Sequence, residues 1–253
     1  AADRTALDIT DERAVRTFLA DARPDAVINA AAYTAVDACE TNEAHAQLVN
    51  GTAVGWVGEA AADIGAHLVH VSTDYVFDGT LDRPYRETDA TNPQSAYGRT
   101  KLAGEQAAGP RATIARTSWV CGEHGDNMVE LVLRLAAGDA DLAFVTDQRG
   151  CPTFTADLAP ALRRLAVDRR AGVYHLTNQG AVSWYEFVRE ILAAAGRDPA
   201  RVRPITTAEL DPPRPAPRPA NSVLDNAAWR ADGEVLLRDF RTPLAELVAV
   251  LSR

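Results

Sequence analysis

The chain has 253 residues, of which 47% are hydrophobic and 24% charged, and its formal net charge is −9 at pH 7. This is the composition of an ordinary globular protein, long enough for one large domain or for one domain with a smaller lobe. The negative charge argues against a nucleic-acid partner, and since no apolar run is long enough to cross a bilayer, we expect no membrane partner. Three cysteines without metal or redox spacing predict a reducing, cytoplasmic location and no metal site.

Short apolar runs alternate along the chain with helical patterns. Strands are predicted at residues 26–29, 67–71, 113–117 and 172–176. Helices are predicted where apolar residues recur on one face, at residues 15–19, 128–135, 184–192 and 244–251. This alternation predicts an α/β protein with a doubly wound parallel, Rossmann-type sheet. His67 and His70, which alternate with apolar residues in one strand, are interpreted as ordinary strand residues with satisfied hydrogen bonds.

One segment breaks this alternation. Residues 211–219 include five prolines. Because proline fixes φ and lacks an N–H donor, the segment is predicted to be an extended surface connection.

Tyr97 and Lys101 are four residues apart, so a helix would place them on one face. A lysine charge beside a phenol favours ionisation and would lower the pKa of the tyrosine. Such a tyrosine can protonate an oxyanion while hydride reaches a carbonyl carbon. The spacing alone is also found on ordinary solvated helices. What favours a catalytic interpretation is the hydroxyl-bearing sequence Ser72-Thr73 at the end of a predicted strand, where a hydroxyl can complete the oxyanion contact.

A dinucleotide-binding sheet normally opens with a strand, a glycine-rich turn and a helix whose amino end receives the pyrophosphate. The sequence begins with Ala1-Ala2-Asp3-Arg4 and has no such turn. Gly51, Gly55 and Gly58 have the wrong spacing and lie in a predicted helix. We therefore expect the sequence to start inside a larger domain, without an N-terminal glycine-motif segment of roughly one βα unit.

Seven segments, taken in order, resemble those of one enzyme family. They are residues 7–11 (LDITD), 29–34 (NAAAYT), 71–79 (VSTDYVFDG), 97–105 (YGRTKLAGE), 116–120 (RTSWV), 147–153 (DQRGCPT) and 218–222 (RPANS). Each is modest alone, but together they are specific. The chain resembles the dTDP-4-dehydrorhamnose reductase family of extended short-chain dehydrogenase/reductases, together with its 4-ketoreductase relatives.

The resemblance implies a role for each matching residue. Tyr97 would be the general acid for the C4 oxygen, Lys101 would lower its pKa and hold the nicotinamide ribose, and Thr73 would bind the substrate oxygen. The implied cofactor-binding residues, for NADPH or NADH, are Asp8, Ile9, Ala30, Ala31, Ala32, Thr34, Asn50, Tyr97 and Lys101. The implied substrate-binding residues are Asp74, Tyr75, Val76, Trp119, Arg218 and Asn221. Structural alternatives stay open: a surface ion pair for Arg218, a core position for Trp119 and a polar helix position for Asn50.

The activity implied by the resemblance is NAD(P)H-dependent reduction of the C4 ketone of a dTDP-4-keto-6-deoxyhexose, most specifically dTDP-4-dehydrorhamnose to dTDP-rhamnose. The implied organisation is a dinucleotide-binding domain (1–120 and 147–176) and a smaller C-terminal substrate-binding lobe (121–146 and 177–253), with a homodimer as a further expectation. Two alternatives remain open. One is a non-catalytic regulatory subunit of the methionine adenosyltransferase type, and the other is a 4-ketoreductase for another deoxysugar.

Overall fold

The computed structural model describes residues 1–138 and 142–252. Its helices are α1 (Glu12–Ala22), α2 (Val36–Thr41), α3 (Glu43–Gln47), α4 (Ala53–Asp63), α5 (Ala96–Ala107), α6 (Met128–Ala136), α7 (Thr155–Asp168), α8 (Trp184–Ala194), α9 (Ala227–Ala231) and α10 (Arg241–Leu251). Its strands are β1 (Ala26–Asn29), β2 (His67–Thr73), β3 (Thr113–Thr117), β4 (Val120–Cys121), β5 (Leu142–Val145), β6 (Arg149–Gly150), β7 (Thr153–Phe154), β8 (Gly172–His175), β9 (Val182–Ser183) and β10 (Val202–Ile205). A π-helical turn (Leu48–Thr52) joins α3 to α4, and a 3₁₀ turn (Asp74–Val76) follows β2.

The central sheet has four parallel strands in the order β1-β2-β3-β8. Almost every residue of β2 is buried, as expected for a parallel strand that is covered on both faces. Because the strands are parallel, their carboxyl ends lie along one edge of the sheet. That edge carries Asn29 at the end of β1 and Thr73 at the end of β2.

Helices cover both faces of this sheet. On one face, Val15 of α1 and Val54 of α4 share a core with Leu68 of β2. On the other face, Leu165 of α7 packs with Val69 and other strand residues; full burial of such a side chain contributes roughly 1.5–3 kcal/mol to folding. The predicted doubly wound, Rossmann-type fold is therefore confirmed.

A separate hydrophobic core lies among α6, α8 and α10, and it includes Val132, Phe187, Ile191 and Leu244. The parallel pair β5–β10 adjoins it. The boundaries that the sequence suggested for two domains stay a prediction. Residues 139–141, within the predicted lobe, and residue 253 lie outside the described residues.

Three general features bear on function. Within residues 1–138 and 142–252, no helix is both long and apolar enough to cross a membrane. The same described ranges contain no group of three or more His, Cys, Asp or Glu side chains placed to hold a metal ion. All three cysteines are buried and have free thiols.

Candidate active site

Helix α5 carries the predicted tyrosine and lysine, and its own sequence fixes its position. Ser95 caps the helix, since its side chain accepts a hydrogen bond from the backbone N–H of Gly98 at 3.1 Å. A Cβ at Gly98 would overlap the carbonyl oxygen of Tyr75. A Cβ at Gly104 would likewise overlap the carbonyl oxygen of Asn50. The two glycines therefore let α5 lie directly against the carboxyl end of β2 and the π-helical turn.

The hydroxyl groups of Thr73 and Tyr97 lie close together at the carboxyl end of β2, near enough for the Thr73 hydroxyl to act on the pKa of the phenol. The ring of Tyr75 packs edge-on against that of Tyr97, with 5.5 Å between the ring centroids. Thr73 Oγ1 donates to Asp74 Oδ1 at 2.9 Å and accepts from the backbone N–H of Tyr75 at 3.2 Å. Two of the three predicted catalytic side chains thus lie close together.

Lys101 lies one helical turn after Tyr97, and its side chain is buried, with 2% of the residue exposed. Its Nζ donates to the carbonyl oxygen of Val71 at 2.6 Å and lies 3.3 Å from Nε2 of His70. Burial lowers the pKa of the Lys101 amine to about 8. Both the amine and the ammonium form are therefore accessible close to neutral pH.

The expected lowering of the Tyr97 pKa is not found. Burial is the largest influence on the phenol, and it raises the pKa of Tyr97 above its usual value of 10.0, against a smaller lowering by the hydrogen bond with Thr73. The amine of Lys101 is directed to the backbone of β2 instead. Tyr97 consequently keeps its proton throughout the neutral range, which is the form that can donate it.

Asp74 is a buried carboxyl group beside these hydroxyls. Burial raises its pKa to about 6, although hydrogen bonding by Ser222 and Thr73 acts in the opposite direction. Its Oδ2 is buried and makes no hydrogen bond of ordinary geometry within the described part of the chain. A buried oxygen of this kind is a place where the hydroxyl group of a ligand can bind.

Three alanines continue the chain beyond the carboxyl end of β1. Ala30 and Ala31 are exposed, Ala32 is half-buried, and Thr34 at the end of the segment is exposed. Their short side chains leave the backbone open to the approach of a ligand. A contact of this segment with the nicotinamide ribose stays a prediction.

The described residues offer fewer contacts for the other parts of a dinucleotide. Asp8 is exposed and Ile9 half-buried, and Asp8 Oδ1 accepts two hydrogen bonds from Thr10, so the predicted adenine-side contact stays a prediction. The glycines of residues 51–58 lie in the π-helical turn and in α4, as expected. No glycine-rich turn leads from a strand into a helix anywhere in 1–138 or 142–252.

Asn50 is fully buried and connects the alanine segment to α5. Its Oδ1 accepts from the backbone N–H of Tyr33 at 2.7 Å, and its Nδ2 donates to the Tyr33 carbonyl at 3.1 Å. The same Nδ2 donates to Thr100 Oγ1 at 3.2 Å, and Thr100 in turn donates to the carbonyl of Tyr97 at 3.0 Å. The Asn50 amide is therefore fully used in hydrogen bonds to the Tyr33 backbone and to Thr100. Any influence on a cofactor would be indirect, through the position of these groups.

Arg218, a predicted diphosphate or sugar contact, forms an ion pair with Asp37. Its Nη2 lies 2.8 Å from Asp37 Oδ2, Nη1 contacts Oδ1, and the arginine side chain is 10% exposed. Its Nη1 also donates to the carbonyl oxygen of Ala216 at 2.7 Å. The ion-pair alternative is thus observed, but in a half-buried position that ties the proline segment to the site. The side chain of Asn221 holds the carbonyls of residues 81 and 83 at 2.8 and 3.0 Å.

Trp119 and Val76 complete the predicted substrate residues. Trp119 follows β3 with φ at 47°, a left-handed conformation that is rare for a large side chain. Its ring stacks on that of Trp184 at a centroid distance of 3.5 Å and an interplanar angle of 7°. Val76 is fully buried in a small core with Phe77 and Leu224, so its side chain is not open to a ligand. Sugar contacts by these residues stay predictions.

The sequence interpretation missed two contacts near the site, that of His70 with Lys101 and that of Asn29 with His70. Asn29 and His70 are both buried, and the strand register pairs Asn29 with His70. The sequence did contain a signal for these contacts. Lys101 is the only lysine among its 26 Lys and Arg residues. That exception marks position 101 as special, and polar residues expected near it could have been considered for that reason. The fold is that of a Rossmann-type protein.

The chain belongs to the RmlD substrate binding domain family, whose sequence profile matches residues 1–253. It is 47% identical over 247 residues to a probable dTDP-4,6-dihydroxy-2-methyloxan-3-one 4-ketoreductase of Streptomyces antibioticus, covering 95% of this chain and 82% of the relative. It is 46% identical over 251 residues to a dTDP-4-dehydrorhamnose reductase of Mycobacterium tuberculosis, covering 96% and 81%. A crystal structure of the Bacillus anthracis dTDP-4-dehydrorhamnose reductase in complex with NADP superposes with a TM-score of 0.94 at 33% identity, covering 98% and 88%. The family resemblance and the oxidoreductase class drawn from the sequence are confirmed.

Proposed function

We propose that the chain reduces the C4 ketone of a dTDP-4-keto-6-deoxyhexose with NAD(P)H. The observation that carries this proposal is the proximity of the Thr73 and Tyr97 side chains at the carboxyl end of β2, one helical turn from the buried amine of Lys101. The names of the relatives support the substrate class. The NADP in the Bacillus anthracis structure supports the cofactor class.

When bound, a reduced nicotinamide supplies hydride to the carbonyl carbon. The residues of this chain act on the oxygen. Tyr97, kept neutral by its surroundings, holds a proton that it can donate as negative charge develops there. Thr73 donates a hydrogen bond to the same oxygen once its proton turns away from Asp74. Lys101, Ala30, Ala31 and Thr34 would hold the nicotinamide ribose.

The proposed substrate is dTDP-4-dehydrorhamnose, which gives dTDP-rhamnose. A second candidate, a 4-ketoreductase acting on another deoxysugar, is favoured by the name of the Streptomyces antibioticus relative. A non-catalytic regulatory subunit is not favoured, because Thr73, Tyr97 and Lys101 are all present at the carboxyl end of β2, where the amine of Lys101 donates to the Val71 carbonyl. A homodimer and a cytoplasmic location are further proposals, the second supported by three free, buried thiols.

Replacement of the proposed proton donor tests the function. We expect Tyr97→Phe to lower turnover on the order of 10²-fold or more, the usual scale for a lost general acid, while the far-UV circular dichroism spectrum stays unchanged. The assay is NADPH oxidation with dTDP-4-dehydrorhamnose and with other dTDP-ketosugars, whose products are identified by NMR. Tyr185→Phe is the matched control, because the Tyr185 hydroxyl contacts Arg189 on the lobe helix α8 and not the site. Near-normal turnover of Tyr97→Phe would contradict the assigned role.

A further inference from the structure

Tyr97, the proposed proton donor, lies in the first turn of α5. The first N–H groups of a helix have no partner within the helix, so this turn frays unless other groups accept their hydrogen bonds. A proton donor in a fraying turn would not keep its place, and a displacement of about 1 Å can slow a reaction about 10²-fold. The groups that hold the first turn of α5 therefore bear on the proposed reaction.

Side-chain acceptors hold the backbone on both sides of Tyr97. Ser95 Oγ accepts from the N–H of Gly98, the residue after Tyr97, at 3.1 Å. Glu40 Oε1 accepts from the N–H of Ala96, the residue before Tyr97, at 2.8 Å. Ser95 belongs to the cap of α5 itself, whereas Glu40 lies on α2, 56 residues earlier in the chain. The start of α5 is thus fixed to a second helix.

Helix α2 is itself anchored on both sides of the site. It has six residues, too few for a helix that is stable alone. Cys39 is fully buried in a small cluster against which Tyr97 packs. Asp37 forms the ion pair with Arg218 that ties α2 to the proline segment. These contacts give the carboxylate of Glu40 a fixed place from which to hold α5.

We propose that Glu40 is a positioning residue, which holds Tyr97 in the place from which it donates its proton. It acts through the backbone N–H of Ala96. A carboxylate suits this position because a charged acceptor makes a stronger hydrogen bond and because negative charge is favourable at the amino end of a helix. The inference rests on the proposed function, since that function makes Tyr97 the proton donor.

Glu43, on α3, offers a matched comparison. Its carboxylate also contacts α5, where it pairs with Arg99 at 3.0 Å. Both side chains of this pair are about half exposed, at 49% and 44%. The partner of Glu43 is the end of a long, flexible side chain and not a backbone N–H, so loss of this pair need not move the helix. Glu43→Gln is therefore the control for substitutions of Glu40.

The first measurement is NADPH oxidation with dTDP-4-dehydrorhamnose, with circular dichroism at the assay temperature to check that each variant is folded. We expect Glu40→Ala to lower kcat and kcat/KM by the same factor, roughly 10- to 10²-fold, because a displaced proton donor is felt only in the transition state. Glu40→Gln keeps an oxygen that can accept from Ala96, so its kcat should stay within about threefold of the natural chain. Glu43→Gln should leave both constants unchanged.

The most direct comparison is made in the Tyr97→Phe background. A residue that acts through the Tyr97 hydroxyl has no further effect once that hydroxyl is gone, whereas a loss of folded protein lowers the residual turnover by the same factor as before. We expect Glu40→Ala to change the residual turnover of Tyr97→Phe by less than about twofold. The full loss in this background would overturn the proposal, and so would an unchanged kcat in Glu40→Ala or an equal loss in Glu40→Gln.

Hydrogen exchange of the Ala96 amide, followed by NMR, tests the contact without substrate. We expect exchange to be at least about tenfold faster in Glu40→Ala than in the natural chain, since the N–H loses a charged acceptor, and to stay close to natural in Glu40→Gln. Unchanged exchange in Glu40→Ala would also overturn the proposal. Because this measurement needs no turnover, failure of the proposed reduction would be recognised separately from failure of the contact.

Discussion

Replacing Lys101 by methionine tests how much the burial of this amine costs the folded state, and the test needs only the free energy of unfolding. In the unfolded chain the amine has its usual pKa of 10.5, and in the folded chain burial lowers the pKa to about 8. At roughly 1.4 kcal/mol per pKa unit, this difference makes the charged lysine cost the folded state about 3 kcal/mol. The lowered pKa fixes the sign: the cost is fully present below about pH 8 and disappears as the pH rises to 10.5.

Lys101→Met removes that cost, together with the hydrogen bond to the Val71 carbonyl, which contributes about 1 kcal/mol at every pH. The free energy of unfolding should therefore favour the variant by about 2 kcal/mol at pH 7 and favour the natural chain by about 1 kcal/mol at pH 10.5. Urea denaturation of both proteins across this range gives the difference curve, in which the titrations of tyrosine and cysteine cancel. Lys101→Leu should give the same pH dependence. Parallel stability curves for lysine and methionine would refute the reasoning.

Two further substitutions test how the site is held. Gly98→Ala introduces a Cβ that overlaps a backbone carbonyl; it should lower the free energy of unfolding, measured by urea denaturation, by about 1–3 kcal/mol and should also lower turnover. Gly55→Ala on α4, where a Cβ has ordinary contacts, is the control and should be neutral or stabilising. Equal effects of the two substitutions would argue against close packing of α5. Glu105→Gln leaves Arg116 buried without its carboxylate and should cost about 3–5 kcal/mol. Glu43→Gln, in an exposed pair, should cost less than about 1 kcal/mol, and a comparable loss in both would contradict this explanation.

The strands were predictable because they are short apolar runs between polar segments. The strands at 26–29 and 113–117 have the predicted bounds. The strand predicted at 67–71 continues to Thr73, and the one predicted at 172–176 ends one residue earlier. The helical stripes were less exact. Leu135 was placed on the apolar face of α6 but is 41% exposed, since Val129, Val132 and Ala136 form the buried face. Periodicity predicts which face of a helix is apolar, but it does not predict which side of a wide apolar face packs against the neighbouring element.

The site was predictable only for residues whose side-chain chemistry and whose place at the end of a strand or the start of a helix point to the same role. Thr73 is at a strand end and Tyr97 in the first turn of a helix, so the sequence placed both at the carboxyl edge of a parallel sheet. The ion pair between Asp37 and Arg218 joins residues 181 positions apart, and no local pattern reports such a contact. His70 was interpreted as an ordinary strand residue because a single sequence does not show which helix covers a strand.

The choice of residue at position 101 shows what the site requires. The chain has 26 Lys and Arg residues and one lysine, which leaves arginine at the other 25 positions. Arginine makes the ion pairs with Asp37 and Glu105, where a permanent charge and a planar donor set are useful. A guanidinium cannot lose its proton in a protein, whereas a buried ammonium can. If position 101 served only as a positive charge, arginine would meet that need. The lysine there, whose pKa burial lowers to about 8, is therefore explained by the capacity of its amine to exchange a proton.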